Sequence, residues 1–167
     1  MKTNPTSTTT PSLNTEEQSY RDKTPRKKLE ENIIIAIQAT MISKLFPGKV
    51  LAKLNNNVTV LEFLVRRIKE ANFASQIAIV TSDLDSDIPI VEEGNRLGVK
   101  VVRGSHDDLI QRFIFAADEL KADSLVRILG SNPLLDIEAL DELIGSHFAG
   151  DWEYSFNDGS LMFADDT

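Results

Sequence analysis

The sequence predicts an α/β fold, a mostly parallel sheet with helices on both faces. Short aliphatic runs of strand length, at 33–37, 77–80, 99–102 and 124–128, alternate with segments whose apolar residues recur at helical spacing. Strand, helix, strand, helix in that order implies parallel strands joined by helical crossovers. A chain of 167 residues with 41% hydrophobic and 26% charged residues carries enough apolar material for one ordinary core.

Two regions follow from composition: a polar tail over 1–31 and a folded domain over 32–167. The tail, "MKTNPTSTTTPSLNTEEQSYRDKTPRKKLEE", has three isolated large hydrophobics, Leu13, Tyr20 and Leu29. Such a segment cannot bury enough area to offset its ordering entropy, so it is expected to be disordered. It holds six of the eighteen basic residues and five of the twenty-six acidic ones, so the net charge of −8 belongs to the body.

In the body, "IIIAI" at 33–37 opens as a strand of branched residues. From Val58 to Ala71, Leu61, Leu64, Val65 and Ile68 share one helical face while Arg66, Arg67 and Lys69 lie off it. After the second strand, 87–97 reads as a helix, with Pro89 where a first turn tolerates it. The segment 107–121 is predicted helical, with Leu109, Phe113, Ala116, Ala117 and Leu120 as its inward stripe behind an acidic start. A last helix is expected over 136–148, with Asp136 as its N-cap and Leu140, Leu143 and Ile144 inward. Trp152 and Tyr154 read as late strand residues in a core or interface.

Several function classes are disfavoured at once. A charge of −8 argues against a nucleic-acid backbone partner, which clustered Lys and Arg would have to attract. The absence of cysteine removes disulfides, thiolate metal sites and cysteine nucleophiles. The longest apolar run, "IIIAI", falls far short of the ~18 residues of a membrane span. No apolar segment after Met1 resembles a signal peptide, so a cytoplasmic protein is expected.

Parallel sheets bind ligands at the carboxyl ends of their strands, so the segments after 38, 81, 102 and 128 are where function is sought. After the first strand stands "QATMISKLFPGKVL", residues 38–51. It is neither a Walker loop nor a dinucleotide fingerprint, because it lacks the required glycines. Further on come "TSDLDSD" at 81–87, "GVKVVRGSHDDLIQRF" at 98–113 and "ADSLVRILGSNPLLDIEALDELI" at 122–144.

Together these four blocks resemble, in order and spacing, the sugar-activating cytidylyltransferases of the spore coat polysaccharide and acylneuraminate type. The family loop reads Q-A-R-M-G-S-T-R-L-P-G-K-V-L, and Gln38, Ala39, Met41, Ser43, Pro47, Gly48, Lys49, Val50 and Leu51 stand in register with it. The resemblance implies a nucleotide-diphospho-sugar transferase, Rossmann-like fold, and transfer of CMP from CTP to an acidic or amino sugar. It implies Lys49 as the catalytic cation, with Gln38, Ala39, Ser43, Lys44 and Gly48 holding the triphosphate. Gly104 and Ser105 would present backbone to the base, and Arg112 would reach the nucleotide. For Arg112 an intrahelical partnership with Asp108, four residues back, is an equal alternative. Asp83 and Asp85 read as turn and cap residues.

The departures include the most charge-critical positions. Thr40 and Leu45 occupy the family's arginine positions, and Ile42 its glycine. Family T-G-D-C-P is Leu129-Gly130-Ser131-Asn132-Pro133, so a serine replaces the carboxylate that holds Mg²⁺. No metal ligands are therefore assigned. Catalysis is expected to be weakened or lost while nucleotide binding persists; the rival readings are a non-catalytic scaffold for protein contacts and an incomplete chain. Family relatives commonly pair, which makes a homodimer one option.

Overall fold

The computed structural model describes residues 31–54, 57–73, 76–150 and 152–157. The expected disordered tail lies outside the described residues except for Glu31, as do the carboxylates from Asp158 onward.

Four parallel strands form the sheet: β1 (Ile33–Gln38), β2 (Gln76–Ser82), β3 (Lys100–Gly104) and β4 (Ser124–Leu129), in the spatial order β3-β2-β1-β4. Central β1 is apolar and buried from Ile33 to Ile37 because both its faces are covered. Ile33, Ile35 and Ile37 join one core and Ile34 and Ala36 the other. The first core is completed by residues of α1 (Val60–Ile68), α2 (Ile88–Arg96) and α4 (Ile137–Gly150). The second is completed by Ala116 and Leu120 of α3 (Leu109–Leu120), which packs over β3 and β2. Helices therefore cover both faces, as predicted.

Helix boundaries follow their caps. α1 begins after Thr59, whose hydroxyl accepts the Glu62 amide, and buries Leu61, Leu64, Val65 and Ile68. α2 follows a 3₁₀ turn, Asp85–Asp87, and carries Pro89 in its first turn. α3 starts after Asp108, which accepts from the Gln111 amide at 2.9 Å. Asp136 caps α4 by accepting the amides of Glu138 and Ala139.

Two expectations are corrected. The stripe on α3 is only half inside: Ala116 and Leu120 are buried, while Leu109, Phe113 and Ala117 line an open cavity of about 380 Å³ together with Leu125 and Arg127. β4 is an edge strand among the described residues, so no further strand roofs the outer part of the stripe. Trp152 and Tyr154 lie in neither a strand nor the core. They follow the end of α4 at 63% and 77% exposure, outside the strands of the described residues, and Tyr154 stacks on Phe156. Among the described residues no helix is long and apolar enough to cross a membrane.

Candidate functional site

Parallel pairing brings the ends of all four strands to one edge of the sheet, with Gln38 beside Val80 and Leu129. From β1 the chain moves to β2 and β3 on one side, then returns to β4 on the other. The order reverses at β1, and a crevice outside the carboxyl ends of β1 and β4 is where such sheets take ligands. Gln38 stands at this point. Its carbonyl accepts the Gly130 amide at 2.8 Å, and its side-chain oxygen accepts Arg127 Nε at 2.8 Å. Arg127 also lies over the Phe113 ring, 5.8 Å from its centroid. Ala39 is buried, with its amide on the Val80 carbonyl at 3.1 Å.

The loop that follows is closed by its own backbone. The Gly48 amide donates to Met41 O at 2.8 Å, and Ser43 Oγ accepts the Phe46 amide at 3.3 Å. Gly48 holds φ 71°, a left-handed angle that favours glycine, and a Cβ there would lie 3.1 Å from Met41 Cε. Lys49 begins the 3₁₀ turn Lys49–Leu51. Lys44 is exposed and Lys49 half-exposed, and neither ammonium has a hydrogen-bond or ion-pair partner among the described residues. The loop turns Ile42, Leu45 and Phe46 outward, with Leu45 98% exposed. The loop thus presents apolar groups and two ammonium ions without a partner among the described residues.

A carboxylate that the sequence reading did not single out anchors this loop. Asp87 is fully buried. Its Oδ1 accepts the Met41 amide at 2.7 Å and faces Thr40 Oγ1 at 3.4 Å. Its Oδ2 accepts from Thr81 Oγ1 at 3.0 Å and from the amide and hydroxyl of Ser82. Burial alone would raise its pKa, but the donors from Ser82, Met41 and Thr81 outweigh it and hold the carboxyl below its ordinary value. Although Asp87 stands at the N-cap of α2, its side chain makes no cap bond. The hydroxyl pair Thr81-Ser82, five and six residues before Asp87, was the available sequence signal. Asp83 and Asp85 are exposed turn residues, as expected.

At the end of β3, Gly104 allows α3 to approach closely: a Cβ there would lie 2.9 Å from Arg112 Cγ and 3.3 Å from its Cα. Arg112 is 4% exposed and donates from Nε to Ser105 O at 2.7 Å and from a terminal nitrogen to His106 O at 2.9 Å. The alternative pairing with Asp108 is not made, because Asp108 caps the helix and Arg112 turns toward the loop carbonyls. Ser105 accepts the Asp108 amide at 3.1 Å, so it shapes the turn before the cap. Arg103, also unforeseen, braces the end of β2 by donating to the carbonyls of Ser82, Asp83 and Leu84.

At the end of β4, Ser131 is half-buried and Asn132 exposed, its amide on Leu129 O at 3.0 Å. A hydroxyl and an amide are neutral donors, and a hard divalent cation is held chiefly by charged oxygens. The described residues contain no cluster of three or more metal-ligating side chains. This turn by itself does not fit Mg²⁺, so no chemical step is assigned to the ion.

Strand order and the loop after β1 describe a parallel α/β fold with a candidate ligand crevice at the carboxyl ends of its strands. A cytidylyltransferase family model matches residues 33–161, and the chain belongs to that family. It is similar to the spore coat polysaccharide biosynthesis protein SpsF of Bacillus subtilis, 33% identical over 129 residues, covering 75% of this chain and 53% of that protein. A solved cytidylyltransferase from Leptospira borgpetersenii is 35% identical with a TM-score of 0.65, covering 69% of this chain and 48% of that one. The CMP:2-keto-3-deoxy-manno-octonic acid synthetase, solved with CTP, aligns at a TM-score of 0.60 over 70% of this chain and 47% of that one; at 17% identity it supports the fold alone. The chain spans about half the length of the curated relatives it matches.

Proposed function

We propose that this domain binds CTP at the carboxyl ends of β1, β3 and β4, and that its transfer of CMP to an acidic or amino sugar of cell-surface polysaccharide biosynthesis is weakened or absent. One observation supports the binding reading: the loop that follows β1, the strand at which the order reverses, is closed by the Gly48 amide on Met41 O and carries Lys49, whose ammonium has no partner among the described residues. Lys49, with Lys44, balances phosphate charge, while Gln38, Ala39, Ser43 and Gly48 shape the loop beneath. Gly104 and Ser105 border the base, and Arg112 holds their turn in place.

In the transfer itself a sugar hydroxyl attacks the α-phosphorus and pyrophosphate leaves, and the demand on the protein is to screen charge and align the attack. Thr40, Leu45 and Ser131 leave that demand largely unmet, because none carries a charge. Lys44 does not compensate fully, since a point ammonium lacks the fork of a guanidinium. We place the domain in the cytoplasm, as a homodimer.

The test is a thermal-shift screen of nucleoside triphosphates with and without magnesium, followed by calorimetry and pyrophosphate release with a panel of acidic sugars. CTP should raise the melting temperature, as any ligand of the folded state must. Lys49→Ala should weaken CTP affinity by calorimetry about tenfold or more, the worth of one charge-assisted contact. Robust pyrophosphate release would overturn the impairment, and no nucleotide binding by calorimetry would overturn the site. Ser131→Asp combined with Thr40→Arg should introduce metal-dependent binding.

A further inference from the structure

We infer that Asp87 is a positioning residue for the nucleotide loop, joining it to the end of β2 and, through Met41, fixing the turn that presents Lys49. The inference rests on the nucleotide reading above and adds to it a residue with no direct reach to ligand. Each carboxylate oxygen serves a different segment. Oδ1 takes the Met41 amide at 2.7 Å, and Oδ2 takes the Thr81 hydroxyl, the Ser82 amide and the Ser82 hydroxyl. Met41 then passes the constraint on, because its carbonyl accepts the Gly48 amide at 2.8 Å and Lys49 follows directly. The path from sheet to loop cation thus runs through the Asp87 side chain, the Met41 amide on its Oδ1 and one backbone hydrogen bond, Gly48 N–H to Met41 O.

The arrangement is more than a satisfied buried acid. A carboxylate that needed only solvation could take all its donors from the Thr81-Ser82 hydroxyls and its own helix N-terminus. This one makes no side-chain cap bond to α2 and reaches instead across 46 residues of sequence to a loop amide. It is also 0% exposed, so water does not compete for the link. Position 40, one of the family's arginine positions in the loop, carries Thr40 here, whose hydroxyl faces the same oxygen and accepts the Ile42 amide at 3.2 Å.

Asp87→Asn tests this, because an amide offers one acceptor oxygen and cannot serve both segments at once. Its oxygen should turn to the three donors of β2, leaving its NH₂ against the Met41 amide. In the ligand-free variant, hydrogen exchange at the Met41 and Gly48 amides should quicken at least about tenfold while β1 and β2 amides keep their protection. CTP affinity, measured well below the melting temperature of both proteins, should fall about fivefold. A role confined to stability would lower the melting temperature and leave Gly48 exchange and affinity unchanged, which overturns the inference. Faster exchange with unchanged affinity would overturn it equally.

Should Asp87→Asn fail to fold, replacing the Met41 amide by an ester removes the one N–H concerned and leaves the β2 contacts intact. Gly48 should again exchange faster, and no change there would refute the link. If the parent protein binds no CTP, the nucleotide reading fails by that measurement, and the exchange data alone decide whether Asp87 holds the loop.

Discussion

A side chain at position 48 meets two obstacles, the left-handed φ of 71° and Met41 Cε at 3.1 Å. Gly48→Ala should therefore cost about 1–2 kcal/mol in urea unfolding, the usual penalty for a Cβ in that region. Buried Asp87 and part-buried Glu93 predict a pH dependence. Asp87 has its carboxyl held below the ordinary value; Glu93 is lowered as well, chiefly by hydrogen bonds from Arg96, against the opposing effect of burial and with help from Thr59. Groups of this kind stabilise fully above the unfolded carboxylate range, near 4, and lose that contribution as pH falls through their lower folded values. The melting temperature should hold from neutrality to about pH 5 and drop below pH 4, and Asp87→Asn should flatten part of that fall. The sequence pattern exposed Gln38, Gly48 and Lys49, because a local motif carries them. It passed over Asp87, Arg103 and Arg127: Met41, the Ser82–Leu84 carbonyls and Gln38 are brought to them by the fold, and the local Thr81-Ser82 pair alone did not point to Asp87.

Helix starts depend on few atoms. Thr59 accepts the Glu62 amide at 3.0 Å, and its hydroxyl donates to Glu93 Oε1 at 2.6 Å, joining α1 to α2. Glu62, buried beneath, is held by Arg66 and Arg96, and Arg96 also grips Glu93 at 2.7 Å. Thr59→Ala should lose about 1–2 kcal/mol by chemical denaturation, toward the upper end of cap deletions because a second helix loses a bond as well. The arginines are half-exposed, so salt should reduce the pairs' contribution while leaving the cap's intact. The four strands and four helices named among the described residues were legible from hydrophobic period, length and cap residues. α3 was read least well, since a stripe of five apolar positions says nothing about how far its sheet extends.

The four strands were visible as aliphatic runs, yet their lateral order was not, because identical parallel runs permit several orders and pairing is settled by packing. In the observed order β1 is central. Ile35→Ala, at a fully buried position flanked by β2 and β4, should cost about 2–5 kcal/mol, read as a shift of the urea midpoint. β4 carries a different liability. Its outer backbone amides and carbonyls have no strand beside them among the described residues, and Leu129 there is 50% exposed, with Ile110 and Ile114 exposed along the adjoining cavity. An unprotected edge of this sort is a template on which another copy can zip up. The 167-residue chain should therefore self-associate as its concentration rises, by light scattering, and Leu129→Lys should suppress this without lowering the melting temperature by more than about 1 kcal/mol equivalent. β4 thus carries two demands on one strand: its carboxyl end borders the proposed nucleotide crevice, while its unpaired side, among the described residues, favours pairing between copies as concentration rises.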